Sequence, residues 1–252
     1  MPFHEDKCPL CGDTGWAVSE EGGVPVARRC SCLEGRRAGT LLEAARIPRR
    51  YRDCSLDNFK PMSPRQNDAL KTARKFINDF PARNAGLLFI GPCGVGKTHL
   101  AAAILKEIVV QKAVPGLFYD FRDLIRDIQA TYTPDSDLNE SDVLAPVFQS
   151  RILVLDELGA KRSTAWVEDT VFSIINYRYN RQQLTLFTSN FLDTADVELA
   201  AVAWKNTDLT KKEETLVDRI GPRLRSRLYE MCKIVDIDGE DFRRNVKQAS
   251  YR

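Results

Sequence analysis

Leu87-Leu88-Phe89-Ile90-Gly91-Pro92-Cys93-Gly94-Val95-Gly96-Lys97-Thr98 is the stretch whose reading decides the fold. A short apolar run meets a glycine-rich turn ending in Gly-Lys-Thr, and Leu100-Ala101-Ala102-Ala103-Ile104-Leu105 opens a helix behind it. The spacing from Gly91 to Thr98 is that of a P-loop, and a strand before with a helix after is the context this motif requires. Gly91, Gly94 and Gly96 let backbone N–H groups turn around phosphate oxygens where a side chain clashes, and the helix N-terminus adds its positive dipole end. Lys97 reaches the β- and γ-phosphates as a point charge, and the Thr98 hydroxyl suits a Mg²⁺ ion. With Pro92, Cys93, Val95 and His99 these residues form the candidate nucleotide-binding set.

Working outward, Arg151-Ile152-Leu153-Val154-Leu155-Asp156-Glu157 is an apolar run ending in two carboxylates, a Walker B pattern. A buried parallel strand delivers Asp156 to its C-terminal edge, where it holds the Mg²⁺ hydration shell. Glu157 points elsewhere and suits polarising an attacking water. Leu184 to Asn190 reads as another strand, with Asn190 placed for a γ-phosphate or its water. Gly116 to Asp120 reads as a strand and Phe121 to Tyr132 as an amphipathic helix, followed by a loop over 133–137. Trp166 to Asn180 reads as a core helix, Lys205 to Glu214 as an exposed loop, and Leu216 to Tyr229 as one helix presenting Arg219, Arg223 and Arg227 on one face. A last strand, Lys233 to Ile237, leads into Phe242-Arg243-Arg244.

Upstream, Cys8-Pro9-Leu10-Cys11 and Cys30-Ser31-Cys32 bracket two short strands, near Trp16 to Val18 and Val24 to Ala27. Two close cysteine pairs at hairpin distance have zinc-ligand spacing. So small a segment buries no core of its own, and Zn²⁺ bound by Cys8, Cys11, Cys30 and Cys32 supplies the missing stabilisation. Four thiolates close the shell, which makes the site structural. A disulfide pairing is the competing reading, set against the rarity of disulfides inside cells. His4 is a spare ligand candidate, and Cys54, Cys93 and Cys232 read as small packing residues. Leu33 to Arg46 reads as a basic helix that Pro48 ends, and Ser63-Pro64 starts another running through Ile77.

Among 252 residues, 43% are hydrophobic and 29% charged, which fits a globular chain. The N-terminus has no apolar signal core, and Leu100 to Val110 is too short to span a bilayer, so a cytoplasmic protein without membrane contact is expected. Net charge is only +2, yet arginines gather at Arg28–Arg52 and Arg219–Arg227, surfaces suited to nucleic acid or another anionic partner.

Together these residues resemble the AAA+ ATPases of the DnaC/DnaI/IstB group, over roughly Ile47 to Arg244. The stretches that carry the resemblance are Ile47-Pro48-Arg49-Arg50-Tyr51, the P-loop, Leu153 to Gly159, Thr188-Ser189-Asn190, and Ile220 to Leu228. The cysteine-rich start is similar to the zinc module of some helicase loaders in that group. The resemblance implies an α/β P-loop AAA+ parallel-sheet core with a small N-terminal zinc module; the sequence departs from the family in that too little chain follows the last strand for a full helical lid, and none is expected. It divides the chain into a partner-binding module at 1–46, a linker and leading helix at 47–80, and the ATPase core at 81–252. It implies ATP, Mg²⁺ and Zn²⁺ as cofactors, Glu157 as the catalytic carboxylate, and Asn190 as sensor 1. Arg223 becomes the finger reaching a neighbouring subunit, with Arg227 in reserve, and Arg243 becomes sensor 2. A replicative helicase loader then pairs with a hexameric helicase, single-stranded DNA and further copies of itself. The alternatives are an IstB-like helper that assembles on duplex DNA for a transposase, a small-molecule kinase, and a module that holds ATP without turnover.

Overall fold

The structure, a computed structural model, describes residues 7–82, 85–133, 139–161, 164–193 and 214–245. His4, most of the 133–137 loop and residues 205–213 of the expected exposed loop lie outside them.

Strand β1 (Trp16–Glu21) pairs antiparallel with β2 (Val24–Arg29). Helix α1 (Ser31–Ala44) follows, then α2 (Pro64–Asp79). Ser63 caps α2 through a reciprocal bond pattern with Gln66, and Pro64 occupies its first turn, so this boundary lies where the sequence places it. The main sheet is parallel and contains β3 (Gly86–Ile90), β4 (Gly116–Asp120), β5 (Ile152–Asp156), β6 (Leu184–Ser189) and β7 (Cys232–Asp236), in spatial order β4-β5-β6-β3-β7. Every residue of β3, β5 and β6 is buried, as expected where helices cover both faces of a parallel sheet.

Strand alternation sorts the core into two layers. Leu87 and Phe89 face α3 (Lys97–Lys112), packing with Leu100, Ile104 and Ile108 and with Phe76 of α2. Leu88 and Ile90 face the opposite layer. That layer is built from α4 (Phe121–Ala130), α5 (Glu140–Gln149) and α6 (Ala165–Asn180). Ala45 and Ile47, just after α1, belong to the first layer, and Phe118 N–H donates to the Ala45 carbonyl at 2.8 Å. The chain leaving α1 thereby covers the free edge of β4. No helix among the described residues is long and apolar enough to cross a membrane.

One expected element is two. Leu216 to Tyr229 divides into α7 (Leu216–Ile220) and α8 (Pro222–Met231), so Arg219 does not share a helix face with Arg223 and Arg227. Gly221 takes φ +79°, a left-handed conformation that ends α7, and Pro222 then starts a new helix at its first turn. Past β7, the described chain ends in α9 (Phe242–Asn245).

Candidate nucleotide-binding site

The carboxyl ends of β3, β5 and β6 meet at one place, where open parallel sheets present their ligand sites. A cavity of about 520 Å³ lies there, lined by the P-loop from Cys93 to His99 and by Glu157, Thr188, Asn190, Phe242 and Arg243. That size suits a cofactor-sized ligand. The other wall comes from the segment between α1 and α2, including Arg50, Tyr51, Asn58, Phe59 and Met62.

Gly96 is the N-cap of α3 at φ +98°, and a Cβ there would come within 2.5 Å of the Phe59 ring. Only glycine turns the chain into the helix and leaves that wall in place. Val95 is buried, and its carbonyl accepts from Gln66 Nε2 at 3.2 Å, which ties the loop to the capping box of α2. Phe242 N–H donates to the Gly94 carbonyl at 3.2 Å, bringing α9 onto the opposite side of the loop. His99 Nε2 is 2.9 Å from the Ser55 carbonyl, with its ring edge-on to Phe59, so it braces the wall as well as lining the cavity.

Lys97 is 5% exposed and donates to the carbonyls of Gly91 at 2.8 Å and Pro92 at 2.6 Å. Burial brings its ammonium down to about 8. Asp156 is 1% exposed, and its Oδ1 accepts from Thr98 Oγ1 at 2.9 Å and Thr188 Oγ1 at 2.6 Å. Burial pushes this carboxyl up, and the two hydroxyl bonds oppose the rise. A carboxylate and a hydroxyl held together at the loop's end are hard oxygen donors that suit Mg²⁺ beside phosphates.

Glu157 leaves β5 at φ +57°, a sparsely populated conformation for this residue type. Its N–H donates to Thr188 Oγ1 at 2.9 Å, and Leu158 N–H donates to the Thr188 carbonyl at 2.8 Å, so neighbouring β6 fixes the turn. The turn directs Glu157 into the cavity while Asp156 stays buried. Arg122, in the first turn of α4, places Nη2 3.4 Å from Glu157 Oε2, a contact no local sequence pattern announces. Arg243 lines the cavity with the P-loop, whereas Arg223 does not.

At the other end of the chain the Sγ atoms of Cys8, Cys11, Cys30 and Cys32 all lie within 4.8 Å of one another. Cys8 and Cys30 are 3.7 Å apart, Cys11 and Cys32 3.4 Å, and none forms a disulfide. Tetrahedral Zn–S bonds of about 2.3 Å space sulfurs about 3.8 Å apart, so the donor set fits a zinc ion. Desolvation raises the Cys11 thiol, but hydrogen bonds from Cys32 and the Gly15 N–H outweigh it and bring it down to about 7. Its hydrogen bond with Cys11 is the main cause that pushes Cys32 up to about 12. One thiolate holds the proton on its neighbour, so four thiolates need a cation among them.

The family described as IstB-like ATP binding protein matches residues 12–250. The chain belongs to that family. This IstB-like chain is 27% identical over 259 residues to the phage-like element PBSX protein XkdC of Bacillus subtilis strain 168, a match covering 97% of this chain and 87% of XkdC. It is 28% identical over 197 residues to the replicative helicase loader DnaC of Escherichia coli K12, covering 75% of this chain and 77% of that protein. Among solved structures it is similar to the DnaC helicase loader, with TM-score 0.62 and 36% identity over 75% of this chain and 99% of that one. The sheet order β4-β5-β6-β3-β7 is that of an AAA+ core, as the sequence leads one to expect. Like its family, the IstB-like chain is an ATP-binding protein.

Lys97 is expected to make ATP binding dependent on pH. Free, its ammonium loses a proton near pH 8; beside phosphate anions the charged form is favoured and the proton returns. Raising the pH from about 7 to about 9 is therefore expected to weaken ATP binding by about tenfold, with proton uptake on binding near pH 8. Calorimetry in buffers of different ionisation enthalpy measures that uptake, and Lys97→Met should abolish the pH dependence. Without ligand the sign is opposite. A depressed lysine leaves the unfolded chain binding more protons between about pH 8 and 10.5, so this residue's contribution to stability rises across that window.

Proposed function

We propose that the chain is an ATP-dependent loader of a hexameric replicative helicase onto single-stranded DNA, acting in the cytoplasm, with ATP hydrolysis coupled to release. The observation that carries this is the 36% identity to the DnaC helicase loader across 99% of that chain. The site geometry supports the chemistry. The loop from Gly91 to Thr98 cradles the phosphates and Lys97 neutralises them. Thr98 and Asp156 would hold Mg²⁺, which when bound would supply positive charge beside the phosphates. Glu157 accepts a proton from the attacking water, and Asn190 orients that water or the γ-phosphate. Arg243 acts in cis from the wall it lines, and an arginine of α8 acts in trans on a second copy's nucleotide.

Cys8, Cys11, Cys30 and Cys32 would hold Zn²⁺, and the N-terminal hairpin they fix would be the part that grips the helicase. Replacing Cys8 and Cys11 by serine is expected to remove one equivalent of zinc and abolish helicase capture while sparing ATP affinity. Metal content, size-exclusion binding and nucleotide titration read the three effects. Helicase capture that survives zinc loss would move the grip elsewhere.

A second reading is favoured by the family match over 12–250: an IstB-like ATPase that assembles on duplex DNA and helps a transposase. DNA preference separates the two. ATP-dependent binding to single strands supports the loader, and ATP-dependent filaments on duplex DNA support the helper.

A further inference from the structure

Each of the four arginines Arg219, Arg223, Arg225 and Arg227 on α7 and α8 lies over an aromatic ring. The guanidinium-to-centroid distances are 4.4 Å to Phe191, 5.4 Å to Phe172, 4.8 Å to Tyr229 and 4.0 Å to Tyr179, respectively. Three of them are also neutralised. Arg219 Nε lies 2.6 Å from Glu214 Oε2, Arg225 Nε 2.8 Å from Asp193 Oδ1, and Arg227 Nη1 3.2 Å from Glu230 Oε2. Among the described residues Arg223 has no carboxylate within ion-pair distance, and it is exposed where Arg225 and Arg227 are half-buried.

Its place in α8 makes this more pointed. Gly221 is the N-cap and Pro222 the first helical residue, so Arg223 sits in the first turn, which contains no acidic residue. The positive end of the helix dipole favours carboxylates there and disfavours a cation. Within one copy, the ring contact of this exposed, unneutralised arginine is offset by its unfavourable place at the helix N-terminus, so it adds little net stability; rules broken locally in this way mark functional positions. The elbow that presents it is fixed from α6, because a Cβ on Gly221 would meet Glu168 Oε2 at 3.2 Å, and Phe172 follows Glu168 by one helical turn. A guanidinium held 5.4 Å from a ring centroid is within cation–π range, loses mobility, and keeps its planar fork of N–H donors for phosphate oxygens.

We propose that Phe172 is a positioning residue whose ring holds Arg223, rather than Arg227, extended toward the nucleotide of a second copy of this chain. This rests on the reading of the chain as a self-assembling ATPase. Arg223 does not line its own copy's cavity, which leaves it available to a second copy's site. Phe172 touches neither nucleotide and acts only through Arg223.

The test is subunit mixing with the full chain under assembling conditions. Arg223→Ala keeps its own P-loop, and Lys97→Ala keeps its own Arg223; each alone is expected to be inactive, and their equimolar mixture to regain about a quarter of wild-type hydrolysis from junctions that unite the intact halves. Adding Phe172→Leu to the Lys97→Ala copy keeps an apolar side chain of roughly similar size but removes the π face. It should cut the regained activity about tenfold, whereas Phe172→Tyr should retain it. Arg223→Ala should melt no lower than wild type, because it removes a cation from the wrong end of a helix. Equal complementation by the leucine and phenylalanine copies would overturn the role of Phe172. Complementation lost with Arg227→Ala in the Lys97→Ala copy, but kept with Arg223→Ala there, would overturn the choice of arginine. A wild-type chain that neither assembles nor hydrolyses ATP would overturn the underlying reading as well, and it is seen before any mixing is done.

Discussion

Glu157→Gln is expected to lower ATP turnover by about 10²- to 10⁴-fold, the usual contribution of a positioned general base, with ATP affinity left within about twofold. On the proposed reading, binding rests on the loop from Gly91 to Thr98 and on the wall from Arg50 to Met62, none of which the substitution touches. Glutamine matches the volume of glutamate but replaces one acceptor oxygen with an NH2 donor and accepts no proton from water. The backbone turn at φ +57° costs both residues alike, and the bond from its N–H to Thr188 survives, so stability should not change. Loss of the 3.4 Å contact with Arg122 is a minor effect, because both partners are partly exposed to solvent. Steady-state turnover and nucleotide titration on the same preparation separate rate from affinity. An unchanged rate removes Glu157 from the chemistry.

The largest stability effect is expected at Arg178, which is fully buried in α6. Its guanidinium meets no carboxylate among its bonding partners. Nε donates to Thr185 Oγ1 at 3.0 Å; Nη1 donates to the carbonyls of Val147 at 2.6 Å and Ser150 at 3.0 Å and to Ser150 Oγ at 3.1 Å; Nη2 donates to the Leu184 carbonyl at 2.6 Å. One side chain thus joins the end of α5, the turn into β5 and the start of β6. Burial lowers its pKa to about 9, because that charge is held away from water. Arg178→Ala leaves three carbonyls without donors and a cavity behind them, and should cost about 4 kcal/mol. For a chain of this size that is a fall in Tm of about 10 °C. Arg178→Lys should recover little, because a single ammonium does not span the fork's acceptors. Urea unfolding of the three proteins tests this, and a loss below about 1 kcal/mol contradicts it.

Arg178 also shows where reading the sequence stops. A single arginine in a helical pattern reads as a solvent-facing residue, and only the carbonyls brought in from α5 and β6 make it core. The P-loop and the strand ending at Asp156 were legible because their chemistry is written in consecutive residues. So were the cap at Ser63 and the paired cysteines, which the structure brings within reach of one ion. The wall formed by Tyr51, Asn58, Phe59 and Met62 was not, since no periodicity marks a segment that folds back over Gly96. The Arg122–Glu157 pair joins residues from two different strand ends, a meeting set by sheet order alone. At Leu216 to Tyr229, helical spacing was read through Gly221-Pro222, a pair that ends one helix and begins the next.

The loader reading is tested most directly by trapping its ATP state. Glu157→Gln protein with ATP is mixed with the purified hexameric replicative helicase of the same cell and a labelled single strand, and the complex is weighed by size-exclusion with light scattering. The account predicts a stable assembly of both proteins on the strand that falls apart with ADP or with the Cys8→Ser, Cys11→Ser variant. No helicase complex, together with ATP-dependent filaments of this chain on duplex DNA, contradicts it.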